Sequence, residues 1–154
     1  MTRTEGPGAL AHLRSLPSWL VGRVAAHGRS LVAEAIAEEG LRPPQHTVLA
    51  AVAEHGPVAQ ADLVRRLGLD AKDVVLLLND LEDAGLAVRR PDPRDRRKNA
   101  VTVTQSGTQT LERCAELAER ANAELLSPLS AAEGRQLMDL LDRVHEARAG
   151  DRRP

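Results

Sequence analysis

Apolar residues recur at helical spacing along most of the chain and fall into short β-prone runs only once. Leu20, Val24, Leu31, Ala35 and Ile36 form a first stripe, opened by Pro17 and closed by Gly40. Proline suits a first helical turn and glycine a C-terminal stop. Leu41-Arg42-Pro43-Pro44 is a linker, and Pro44 opens a second helix through Val48, Leu49 and Val52, which His55-Gly56-Pro57 ends. A third, short helix runs from about Gln60 to Leu67 and stops at Gly68. Asp70 is the expected N-cap of a fourth, and Asp73 adds an anion to its first turn. Val74, Leu77, Leu78 and Leu81 give that helix a buried face, and Gly85 closes it. A fifth helix covers roughly residues 107–126, with small Ala115, Ala118 and Ala121 along it. Ser127-Pro128 breaks the chain, and Ser130-Ala131-Ala132-Glu133 reads as the capping box of a sixth helix carrying Leu137, Leu140, Leu141 and Val144. Residues 1 to about 13 show no clear period and read as a frayed arm or a short accessory helix.

Between the fourth and fifth helices the pattern changes. Leu86-Ala87-Val88-Arg89-Arg90 and Ala100-Val101-Thr102-Val103-Thr104 are β-prone, and Asp92-Pro93-Arg94-Asp95-Arg96-Arg97-Lys98-Asn99 joins them. The expected element is a hairpin with a rigid basic tip. Such a tip cannot bury itself and requires water or an anionic partner. Closely spaced arginines suit the phosphate backbone and narrow minor groove of DNA. A helix-turn-helix followed at once by a basic hairpin describes a winged helix. The long flanking helices cannot all pack on so small a lobe, and a two-fold partner is the economical way to bury their stripes.

The formal net charge of -1 excludes a generic polyanion binder, so a nucleic-acid surface has to be local. From Arg89 to Lys98, six cations stand against Asp92 and Asp95. With 154 residues, the chain fits one domain with a real core. It has no Phe or Tyr and one Trp, so the core must be Leu, Val and Ala. Cys114 is alone, which excludes an intrachain disulfide and agrees with a reducing cytosol. No membrane-length apolar run and no signal-peptide core are apparent, so a cytoplasmic protein with no membrane partner is expected. Only Lys72 and Lys98 of the 21 Lys and Arg residues are lysine, which points to GC-rich coding and a bacterial source.

These residues resemble the MarR (multiple antibiotic resistance regulator) family of transcription factors over about Trp19 to Val144. The densest part comprises Leu81-Glu82, Gly85-Leu86, Arg89 or Arg90, Asp92-Pro93-Arg94-Asp95-Arg96-Arg97, Val101-Thr102-Val103-Thr104 and Gly107. Leu41-Arg42-Pro43-Pro44-Gln45-His46 through Val48-Leu49 matches the start of the family's second helix. The resemblance implies a mainly α fold with a small β-wing, a winged helix-turn-helix that dimerises through its N- and C-terminal helices. One domain would span 1–154, with a DNA-binding lobe over about 41–105 and dimerisation helices over about 15–40 and 107–148. It implies a sequence-specific regulator, most often a repressor on a pseudo-palindromic operator. Many members release DNA when a small phenolic or other ligand binds, or when a cysteine is oxidised.

On this reading Arg94 enters the minor groove, Arg96, Arg97 and Lys98 hold phosphates and Arg90 is a further DNA contact, with Asp92 or Asp95 pairing to a neighbouring Arg to stiffen the loop. The bland alternative is a solvated charged turn. Lys72 and Asn79 are the candidate base readers of the fourth helix, Val75 or Leu76 can meet a thymine methyl, and Gln60 can touch a phosphate. That helix departs from the family, which offers Ser, Thr and Arg there. Asp70, Asp73, Asp80, Glu82 and Asp83 outnumber Lys72, which opposes phosphate. A rival reading follows, a dimeric ligand- or protein-binding module with weak or lost DNA binding. Trp19, with Arg23 or His27, is the candidate contact for an aromatic anion, against the plainer role of core or interface. The five histidines show no i, i+4 pair and no Cys at metal spacing, so no metal site or cofactor is expected. Cys114 reads as a small buried hydrophobe rather than a sensor. No Gly-rich phosphate loop, nucleophile elbow or catalytic carboxylate pair is present, so an enzyme is not expected.

Overall fold

The computed structural model describes residues 8–150 and is mainly helical. The order is α1 (Ala9–Arg14), α2 (Pro17–Ala37), α3 (Pro43–His55), β1 (Val58–Ala59), α4 (Gln60–Leu67), α5 (Ala71–Asp83), β2 (Ala87–Pro91), β3 (Asn99–Val103), α6 (Gln105–Leu125) and α7 (Ala131–Gly150). Of the N-terminal stretch read as an arm or accessory helix, residues 1–7 lie outside the described residues and the rest supplies α1.

The caps behave as their chemistry dictates. The Asp70 side chain accepts from the Lys72 amide at 2.8 Å and starts α5. Gly85, at φ +72°, takes the left-handed turn that swings the chain from α5 into β2. Thr104 caps α6 by accepting from the Gly107 amide at 3.0 Å, while its hydroxyl donates to the Gly85 carbonyl at 2.7 Å. One threonine thus ties the exit of the hairpin to its entrance. Gly107 completes this junction: a Cβ there would stand 2.1 Å from the Leu86 carbonyl oxygen, a separation no side chain tolerates.

The hairpin strands pair antiparallel, with Ala87 opposite Val103 and Pro91 opposite Asn99. The expected strands began and ended one residue away, at Leu86–Arg90 and Ala100–Thr104. A third strand was not expected. β1 pairs with β3 through Val58–Val101 and Ala59–Ala100, giving the order β1-β3-β2. Two residues carry no readable alternation, which is why β1 was missed.

The core lies in the central lobe. Val48, Leu49 and Val52 of α3, Leu63 of α4, Val74, Leu78 and Leu81 of α5 and Val101 of β3 are all buried. Ile36 and Cys114 join it from α2 and α6. The termini differ. Leu10 and Leu13 of α1, Leu20, Val21 and Val24 of α2, and Met138, Leu140, Leu141 and Val144 of α7 remain exposed. No helix among the described residues is long and apolar enough to cross a membrane.

Candidate nucleic-acid interface

The wing is built so that its acids serve the backbone and its bases face outward. Asp92 Oδ1 accepts from the Arg94 amide at 2.8 Å, and Asp95 Oδ1 accepts from the Arg97 amide at 3.1 Å. Such Asx turns replace missing ladder bonds in a tight loop. The Asp92 amide donates to the Lys98 carbonyl at 2.7 Å, closing the tip. Asp95 also lies 3.5 Å from Arg97 Nε, so the expected carboxylate–arginine pairing is present at Asp95, whereas Asp92 acts on the backbone. Arg90, Arg94, Arg96 and Lys98 are exposed and have no ion pair among the described residues. Three of these cations crowd the loop and Arg90 stands at its entrance on β2, none of them held in an ion pair among the described residues, and cations outnumber the two carboxylates there, a field that attracts a polyanion.

α5 presents Lys72, Leu76, Asn79 and Asp83 on its outer side, opposite buried Val74, Leu77, Leu78 and Leu81. Leu76 is 61% exposed, which puts an apolar side chain on that outer side. The acids of this helix are less free than their count suggests. Asp70 is the cap. Asp80 accepts from Gln45 Nε2 at 3.0 Å and Arg42 Nη2 at 3.3 Å, both from the start of α3. Glu82 pairs with Arg89 at 3.0 Å. Asp73 and Asp83 alone among the five have neither an ion-pair partner nor a capping role within the described residues. Gln60 stands at the first turn of α4, half-buried.

Arg89, one of the six cations from Arg89 to Lys98, lies on β2 but does not face outward with the others. Alternation in β2 turns it to the same side as buried Ala87, against α5. Its backbone amide donates to Glu82 Oε1 at 2.7 Å, and its guanidinium reaches Glu82, the Val75 carbonyl and Asn79. Period-two reading from Ala87 would have separated Arg89 from the outward Arg90.

Two of the three proposed ligand contacts come together. Trp19 and Arg23 stack, with the guanidinium carbon 5.9 Å from the ring centroid, and His27 is exposed further along α2. A cavity of about 640 Å³ opens instead beside the adjacent stripe of α2, among Leu20, Val24, Gly28, Leu125, Met138 and Leu141. Trp19, Arg23 and His27 share a spacing of four residues with that stripe but sit one residue, about 100°, out of phase with it. Cys114 is fully buried, and burial together with the Glu39 carboxylate raises its pKa above the ordinary thiol value, with Arg113 opposing. No group of three metal-ligating side chains occurs among the described residues.

A family model described as MarR family matches residues 39–98, the segment from the end of α2 to the wing tip. The putative transcriptional regulatory protein for the hcr operon of Thauera aromatica is 31% identical over 124 residues, covering 80% of this chain and 74% of that protein. Among solved structures, the reduced form of MarR from E. coli is 25% identical with a TM-score of 0.75, covering 84% of this chain and 96% of the other. CouR from Rhodococcus jostii RHA1, solved bound to p-coumaroyl-CoA, is 27% identical with a TM-score of 0.67, covering 86% and 93%. The winged-helix architecture, the ordered wing residues and these relatives together show that the chain belongs to the MarR family of transcriptional regulators.

Proposed function

We propose that this protein is a homodimeric, sequence-specific DNA-binding repressor. The observation that carries the reading is the wing: Asp92 and Asp95 are spent on the loop's own amides, which leaves Arg94, Arg96 and Lys98 free for an anionic partner. Arg94 enters the minor groove, Arg96, Arg97 and Lys98 hold phosphates, and Arg90 adds a further contact to DNA. Lys72, Leu76 and Asn79 face the major groove, and Gln60 touches the backbone. The pairing of Asp80 and Glu82 with Arg42 and Arg89 supports this over a fold that has lost DNA binding, because it removes part of the acidic field from α5.

The segment 41–105 acts as the DNA-binding lobe, and the terminal helices as the dimerisation unit. Exposed apolar residues on α1, α2 and α7 support this division, since a second copy would cover them. Two-fold symmetry then sets two half-sites about one helical turn apart. Release by a small molecule follows from the cavity beside α2. Pro43, the first residue of α3, lines it with residues of α2, α6 and α7, so an occupant would touch both units at once. A ligand that prefers one inter-lobe angle would change the spacing of the recognition helices. The relative bound to p-coumaroyl-CoA supports an organic effector as the class.

A gel shift on the protein's own upstream region tests the reading. Retention that survives excess unrelated duplex at moderate salt is the expected result. No retention of any duplex at low salt would favour the ligand- or protein-binding alternative.

A further inference from the structure

Arg89 fixes how Asn79 can read a base. The Asn79 side-chain oxygen accepts from both Arg89 Nη1 and Arg89 Nη2, each at 2.9 Å. An amide oxygen has two lone pairs, so both are filled. Arg89 cannot easily turn away. It is held by Glu82 at 3.0 Å and by the Val75 carbonyl at 3.3 Å, its side chain is only 21% exposed, and its Nε is buried without a partner among the described residues. Asn79 itself is exposed, in line with Lys72 and Leu76 on the outer face of α5. What remains to face outward is its NH₂ group, for which the described structure gives no acceptor.

The usual asparagine–adenine contact needs one acceptor and one donor, for adenine N6–H and N7. Asn79 has only the donor left. Guanine presents N7 and O6, two acceptors side by side; adenine beside the same amide would leave its N6–H₂ unpaired. We propose that Arg89 makes Asn79 a donor-only reader, so that each recognition helix selects guanine and rejects adenine at the base pair facing Asn79. This assignment rests on the DNA-binding reading above. Arg89 is here a positioning residue that contacts no base.

The test is selection of duplexes from a random pool by the full-length protein, followed by affinity measurements on the enriched site with each base pair replaced in turn. The unmodified protein should lose about tenfold in affinity when guanine is replaced by adenine at one pair per half-site. Asn79→Ala, on an exposed position that leaves the core intact, should abolish discrimination at that pair and keep it elsewhere. The double variant Arg89→Met with Glu82→Gln frees the Asn79 oxygen without stranding a carboxylate, and should shift preference at the same pair toward adenine. Adenine or thymine preferred by the unmodified protein at the pair that responds to Asn79→Ala, or no pair that responds, would overturn the assignment alone. No enrichment of any duplex would overturn the DNA-binding reading together with it.

Discussion

The guanidinium of Arg89, on the first strand of the wing, donates twice to the side-chain oxygen of Asn79, in the middle of α5. The hairpin and α5 are therefore one unit and not two elements joined by a turn. Arg89 spans Val75, Asn79 and Glu82, three positions on one helical face. A wing that moved against the helix would have to break these bonds and expose the half-buried Glu82–Arg89 pair. In the proposed function, groove readout by α5 and phosphate contact by the wing thus occur in a fixed relative register.

Arg94 carries the minor-groove contact in this account. Arg94→Ala should weaken binding to the selected operator roughly tenfold, while Arg96→Ala, which removes one phosphate contact from each of two wings, should flatten the salt dependence by about two. Fluorescence anisotropy across a salt series measures both. Unchanged affinity would remove the wing tip from the mechanism.

Gly107 is required by contact rather than by conformation. Gly107→Ala would drive a methyl into the Leu86 carbonyl and Val103, at the junction Thr104 stitches. Overpacking of this kind costs about 1–3 kcal/mol, which urea denaturation resolves. Thr104→Val removes the cap of α6 and the bond to Gly85 and should cost about 1 kcal/mol. A null result for both would mean the wing base is not the rigid joint described above.

Val144 is 65% exposed on α7, so a charge there costs the lone chain little. In a dimer that covers the stripe it costs much more, because a buried unpaired charge is strongly unfavourable. Val144→Glu should shift sedimentation from dimer to monomer while leaving the helical circular dichroism of the central lobe intact. A variant that sediments as the parent would place the two-fold interface elsewhere.

Cys114 should be inert in the native protein. Burial and Glu39 hold its pKa above the ordinary thiol value, so the folded state favours the protonated thiol. Its contribution to stability is complete below the ordinary thiol pKa and declines as pH rises through the raised folded value. A disulfide-exchange reagent at pH 8 should label Cys114 slowly in buffer and rapidly in denaturant. Fast labelling of the native chain would reopen a sensing role for this residue.

The helices of this protein were legible because each is punctuated by local chemistry. Asp70 caps α5 and Thr104 caps α6, Pro17 and Pro43 sit at N-terminal turns, and Gly85 takes the one backbone conformation that turns α5 into the wing. The wing was legible from two β-prone runs around a basic loop. What was hidden depends on partners distant in sequence. β1 exists only because β3 pairs with it. The acidity of α5 counts against phosphate in the sequence because nothing there shows that Arg42 and Gln45, more than thirty residues earlier, meet Asp80. Trp19 is the only aromatic residue, yet the cavity lies beside the aliphatic stripe one residue out of phase with it. Arg89 was readable in principle, since strand alternation from Ala87 turns it inward.

The most direct test of the central claim, that two basic wings clasp duplex DNA, is the dependence of operator affinity on salt for the purified protein. If each wing neutralises about three phosphates, the logarithm of the association constant should fall with the logarithm of salt concentration at a slope near -5. A slope near zero, or a monomer indifferent to every duplex at low ionic strength, would contradict it.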